Sequence, residues 1–91
     1  MEGDSVTAIH REATEFRPIR ITSPNGLDGV TVETALVPYP ERATNWQAAL
    51  VLDGEHGHLI TGMPPGKYTL WARITDNPEV IVEDVETITI T

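Results

Sequence analysis

The 91-residue chain has no cysteine, so disulfide staples, structural Cys-zinc sites and thiol catalysis are excluded. Basic residues are scarce: 6 Lys and Arg stand against 14 Asp and Glu, a formal net charge of −8 at pH 7. A field of that sign opposes phosphate backbones and anionic lipid, so neither nucleic acid nor membrane is an expected partner. No apolar run approaches the ~20 residues that a membrane helix needs. The Met1 end lacks the basic and apolar stretches of a signal peptide, which makes synthesis in a cytosol the expectation. Length falls below the usual domain size of ~100–150 residues, and one compact unit is the ceiling. The hydrophobic fraction, 40%, is nevertheless too high for a disordered acidic tail.

What the chain does have is period-two patterning. Val30, Val32, Thr34 and Leu36 alternate against Thr31, Glu33, Ala35 and Val37, the repeat of a strand with one buried face, which Pro38 ends. Upstream, Phe16 to Thr22 carries Ile19 and Ile21 on one side, and Pro18, which cannot donate to a ladder, predicts a sheet edge. Ser23-Pro24-Asn25-Gly26 and Asp28-Gly29 predict the following turn. Tyr68, Leu70, Ala72 and Ile74 share one face of the clearest strand, Thr69, Trp71 and Arg73 the other. Met63-Pro64-Pro65-Gly66 opens that strand and Asp76-Asn77-Pro78 closes it. The tail Val80 to Thr91 is rich in β-branched residues, but strict alternation would bury Asp84 and Glu86 together, so a turn or bulge near Glu83 and Asp84 is expected.

Trp46, Ala48, Leu50 and Leu52 read as one apolar face of a strand, although Asn45 could instead cap a short helix. Leu59 and Ile60 form a further short strand ended by Gly62. Residues 1–14 have no firm period and are expected to form an N-terminal arm able to move, leaving residues 15–91 as one domain. The expected fold is all-β, an antiparallel immunoglobulin-like β-sandwich of six to seven short strands, with a small β-barrel as the alternative.

Groups that could do chemistry are few. His56 and His58, two apart in Asp53-Gly54-Glu55-His56-Gly57-His58, could point the same way, but a zinc site needs three or four ligands and the glycines favour a solvated connection. Glu79, Glu83, Asp84 and Glu86 match no calcium-loop spacing and read as a solvated acidic edge that deters pairing with another copy. Ser5 and Ser23 sit in no nucleophile elbow. No catalytic residue, metal ligand or cofactor site is therefore assigned, and the chain is read as not an enzyme.

Trp46 and Tyr68 align with aliphatic residues and are core candidates. Tyr68, one residue beyond the Pro65-Gly66 corner and at the start of a late strand, fits the tyrosine corner of Greek-key sandwiches. Trp71 lies on the opposite face with Arg73, either shielded by Arg73 stacking or used in a contact. Tyr39, between Pro38 and Pro40 and followed by Glu41 and Arg42, is a stiff projecting loop or a crossover between sheets. Tyr39, Glu41, Arg42, Trp71 and Arg73 are the candidate partner-contact residues.

The stretch from Gly66 to Val80 resembles the C-terminal half of small immunoglobulin-like proteins encoded in the capsid and tail gene clusters of actinobacterial tailed phages and prophages. The likeness lies in the Pro-Gly-x-Tyr corner at Pro65 to Tyr68, the Trp-x-Arg strand at Trp71 to Arg73, the Asp-x-Pro-Glu turn at Asp76 to Glu79 and the Thr-rich close at Glu86 to Thr91. Trp46 to Ala49 extends it upstream, and Glu86 departs from it, standing where a glycine is expected. The resemblance implies a non-enzymatic virion protein made in the host bacterial cytoplasm. It would be a capsid decoration or accessory head protein whose partner is the major capsid or a head-tail connector protein, with a homo-oligomer as a further expectation. The alternative is a cell-surface or carbohydrate-binding immunoglobulin-like adhesion module, and a small catalytic or metal-dependent domain is a third class.

Overall fold

A computed structural model describes residues 6–21, 29–76 and 79–91. The turn expected over Ser23 to Gly26, Asp28, and the Asn77-Pro78 part of the later turn lie outside these residues. Eight strands and no helix occur among the described residues: β1 Val6–Ile9, β2 Glu15–Pro18, β3 Thr31–Pro38, β4 Gln47–Ala48, β5 Leu50–Leu52, β6 Glu55–Ile60, β7 Gly66–Asp76 and β8 Glu79–Ile90.

They form two open sheets, ordered β1-β8-β7-β3-β4 and β2-β6-β5. In immunoglobulin lettering the small sheet is B, E, D and the large one contains G, F, C and C′, so the chain is an immunoglobulin-like β-sandwich and the closed barrel is excluded. The strand count exceeds the expected six to seven because the segment from Trp46 to Leu52 divides between the sheets and residues 6–9 add a strand. Ala49 sits at the crossing and donates its N–H to the Val32 carbonyl at 3.0 Å. Two strands are also long rather than short, β7 with 11 residues and β8 with 12.

The alternation in β7 sets the core. Tyr68, Leu70 and Ala72 are buried, and with Ile9, Ile60, Ile88 and Ile90 they fill the space between the sheets. Each fully enclosed aliphatic side chain of this kind contributes about 1.5–3 kcal/mol. Tyr68 donates its hydroxyl to the Pro64 carbonyl at 2.8 Å, which is the expected tyrosine corner. Leu70, two residues on and fully buried, takes the place where antibody domains carry the second cysteine of the inter-sheet disulfide.

Residues 6–9 of the expected arm are instead a strand of the sandwich. β1 pairs in parallel with the end of β8, Val6 opposite Thr87 through Ile9 opposite Ile90, and Ile9 enters the core. This parallel ladder departs from an all-antiparallel sandwich. A four-residue strand whose partner lies about eighty positions away leaves no local trace in the sequence.

The expected irregularity in the tail is a β-bulge. Register steps from Leu70 opposite Glu86 to Trp71 opposite Asp84, so Val85 is the extra residue. Asp84 thereby turns outward and is exposed, while Glu86 stays on the inner face. A buried carboxylate needs a partner, and Arg17 of β2 supplies it.

Candidate functional site

Arg17 reaches across the open side of the sandwich. Its Nε donates to Glu86 Oε1 at 2.9 Å, its Nη2 to Glu86 Oε2 at 3.1 Å, and its Nη1 to Glu15 Oε2 at 2.9 Å. Thr7 Oγ1 donates to Glu86 Oε2 at 2.7 Å, so β1, β2 and β8 share one knot. The hydrogen bond to Glu86 holds the guanidinium above its ordinary basicity. Glu86 is therefore a structural group and not the solvated acid the sequence suggested.

A second inter-sheet contact replaces the expected histidine loop. Asp53 and Gly54, with φ of 51° and 80°, make the tight turn of the β5–β6 hairpin, a conformation that favours Asp and Gly. The rest of the expected loop is β6. His58 points inward, is buried, and lies with Nδ1 2.8 Å from Thr34 Oγ1 of β3. Burial pushes its pKa below the ordinary value. His56 stays half-buried, and no three His, Asp or Glu side chains converge as metal ligands among the described residues. Between the two histidines, Gly57 leaves room for the Phe16 ring: a Cβ there would stand 2.6 Å from a ring carbon.

Of the contact candidates, Trp71 and Arg73 lie on the outer face of the five-stranded sheet, and Tyr39, Glu41 and Arg42 in the turn that follows β3. Residues of β7 that face away from the core are Lys67, Thr69, Trp71, Arg73 and Thr75, and their β3 neighbours are Val37, Ala35, Glu33 and Thr31. At one end Tyr39 follows β3, half exposed at 52%, with the Lys67 ammonium 4.1 Å from its ring centroid. Its N–H donates to the Lys67 carbonyl at 2.9 Å, and Glu41 N–H donates to the Pro38 carbonyl at 2.8 Å, so the turn is held against β7. The Tyr39–Pro40 peptide bond is cis. Glu41 and Arg42 are exposed just beyond.

At the other end Arg73 Nε donates to Glu33 Oε1 at 2.9 Å while its guanidinium carbon lies 4.9 Å from the Trp46 ring centroid. That hydrogen bond holds the Glu33 carboxyl below its ordinary value. Two expectations are corrected here. Arg73 covers Trp46 rather than Trp71, because residues two apart on one strand stand side by side whereas Trp46 approaches from the chain entering β4. Trp46 is consequently an outer-face residue, and Leu50 and Leu52 are exposed rather than core, since the sheet change at Ala49 breaks the apparent common face.

Trp71 stands between the two ends, half-buried, directly across from the buried Ala35. Its Nε1 is enclosed and has no hydrogen-bond partner. Lys67 and Trp46 were missed as site residues; the signal for Lys67 was its outward position beside the inward Tyr68. From Lys67 to Arg73 the face runs about 20 Å at ~3.3 Å per residue. The chain matches no family model, no curated protein and no solved structure.

Proposed function

We propose that the chain is a non-enzymatic virion protein of a tailed phage, a decoration or accessory head protein that docks on the capsid shell or the head-tail junction. The observation that supports this best is the outer face of the large sheet, where Tyr39 under Lys67 and Trp46 under Arg73 hold aromatic rings and cations in fixed places. Side chains already ordered lose little entropy on docking, which suits a module whose role is to be gripped. Partners of this reading are the major capsid or connector protein, and assembly takes place inside the bacterial host. On a repeating shell, many weak contacts of this kind gain avidity from repetition. The resemblance over Gly66 to Val80 supplies the virion part of the proposal and the face supplies the contact.

Purified protein mixed with particles lacking it, followed by imaging, tests both parts. Density across the lattice identifies a decoration protein, and density at one vertex identifies a connector. Absence of particle-bound density overturns the proposal.

A further inference from the structure

The outer edge of β8 is covered unevenly. β1 pairs with it only from Thr87 to Ile90, so among the described residues no strand occupies that edge from Glu79 to Glu86. Backbone donors and acceptors along such an edge are a template for another strand. Over residues 80–82 the side chains are apolar on both faces: Val80, Ile81 and Val82 are 57%, 47% and 50% exposed. Register places Val80 and Val82 outward beside Thr75 and Arg73, and Ile81 inward beside Ile74. Glu79 and Glu83 bracket these three on the inward side, opposite Asp76 and Ala72.

That bracket selects the occupant. A second copy pairing antiparallel about Ile81 would set Glu79 directly opposite Glu83 twice, and like charges in direct cross-strand positions are destabilising. The chain's net charge of −8 adds to the repulsion. A foreign strand with cations at those two positions converts both clashes into attractive pairs.

We infer that β8 accepts an extended polypeptide segment as an added strand between Glu79 and Glu83, and that this segment carries two basic residues separated by three apolar or β-branched ones. Main-chain hydrogen bonds supply the docking, Val80 and Val82 meet apolar side chains outside, and the glutamates fix the register. The inference is independent of whether the segment belongs to a phage particle.

The test uses the full chain and two synthetic peptides, Lys-Val-Thr-Val-Lys and Glu-Val-Thr-Val-Glu, each flanked by Gly-Ser, in anisotropy titrations and amide hydrogen exchange. The lysine peptide is expected to bind about tenfold tighter or more, and to slow exchange at the β8 amides between Glu79 and Glu83 that point away from β7. The E79K/E83K variant is expected to reverse the preference. Equal affinities, no saturation by about 1 mM, or protection confined to other strands overturns the inference. Self-association of the chain through this edge in sedimentation overturns it too. Exchange on the unaltered chain decides the matter should the variant not fold.

Discussion

Arg17 holds both carboxylate oxygens of Glu86, at 2.9 and 3.1 Å, and so joins the edge strand of the small sheet to β8 of the large one. Glu86 has only 8% of its side chain exposed, Arg17 29%. Removing one partner strands a desolvated charge, whereas removing both does not. Arg17→Met or Glu86→Leu alone is expected to cost about 2–4 kcal/mol in urea unfolding, and the double variant less than the sum. Additive losses in the cycle would show that the knot is not a coupled unit.

Tyr68→Phe removes one hydroxyl from the corner and leaves the ring. With the Pro64 carbonyl left without its 2.8 Å donor, the expected loss is about 1–1.5 kcal/mol in chemical denaturation, with near-native circular dichroism.

His58 predicts an acid-side decline in stability. Its folded-state pKa lies below the ordinary 6.5 because burial disfavours the imidazolium, so the unfolded chain binds the proton first as pH falls. Stability from this group is full above about pH 6.5 and is lost as pH drops toward the lowered folded value. Thermal melts between pH 8 and pH 5 measure the slope, and His58→Gln is expected to flatten it.

Gly57 is required by its neighbours. Gly57→Ala drives a methyl into the Phe16 ring and the Arg17 carbonyl, and overpacking of this sort costs about 1–3 kcal/mol. Adding Phe16→Ala to that variant relieves the ring clash but not the backbone one, so rescue measured by melting temperature is expected to be partial.

On the outer face, stability and binding should separate. Arg73→Ala loses the Glu33 pair and the Trp46 contact, both near solvent, and is expected to leave the melting temperature almost unchanged. The Glu33 carboxyl then titrates higher, observable by NMR, because the cation that held it down is gone. Particle binding is expected to weaken about tenfold or more, and the same holds for Tyr39→Ala.

Where strands were legible, they were those whose own alternation reports burial. Val32, Thr34, Tyr68, Leu70 and Ala72 face the core as their spacing requires, and Pro18 stands on an edge strand. Even the bulge in β8 could be anticipated, because two acids in one apolar face create a conflict that a single extra residue resolves. The identity of the extra residue, Val85, could not.

Everything settled by partners distant in the chain was decided by the tertiary structure alone. Local alternation cannot say that residues 6–9 join β8, that Glu86 finds Arg17, that His58 turns toward Thr34, or that Arg73 lies over Trp46 and not Trp71. The sequence by itself determined which segments extend and which face of each seeks the interior, since both follow from side-chain period and backbone preference. Which strand lies next to which, and therefore which charges meet and which edge stays open, is a property of sheet packing. It arises only when segments far apart in the chain compete for the same neighbours.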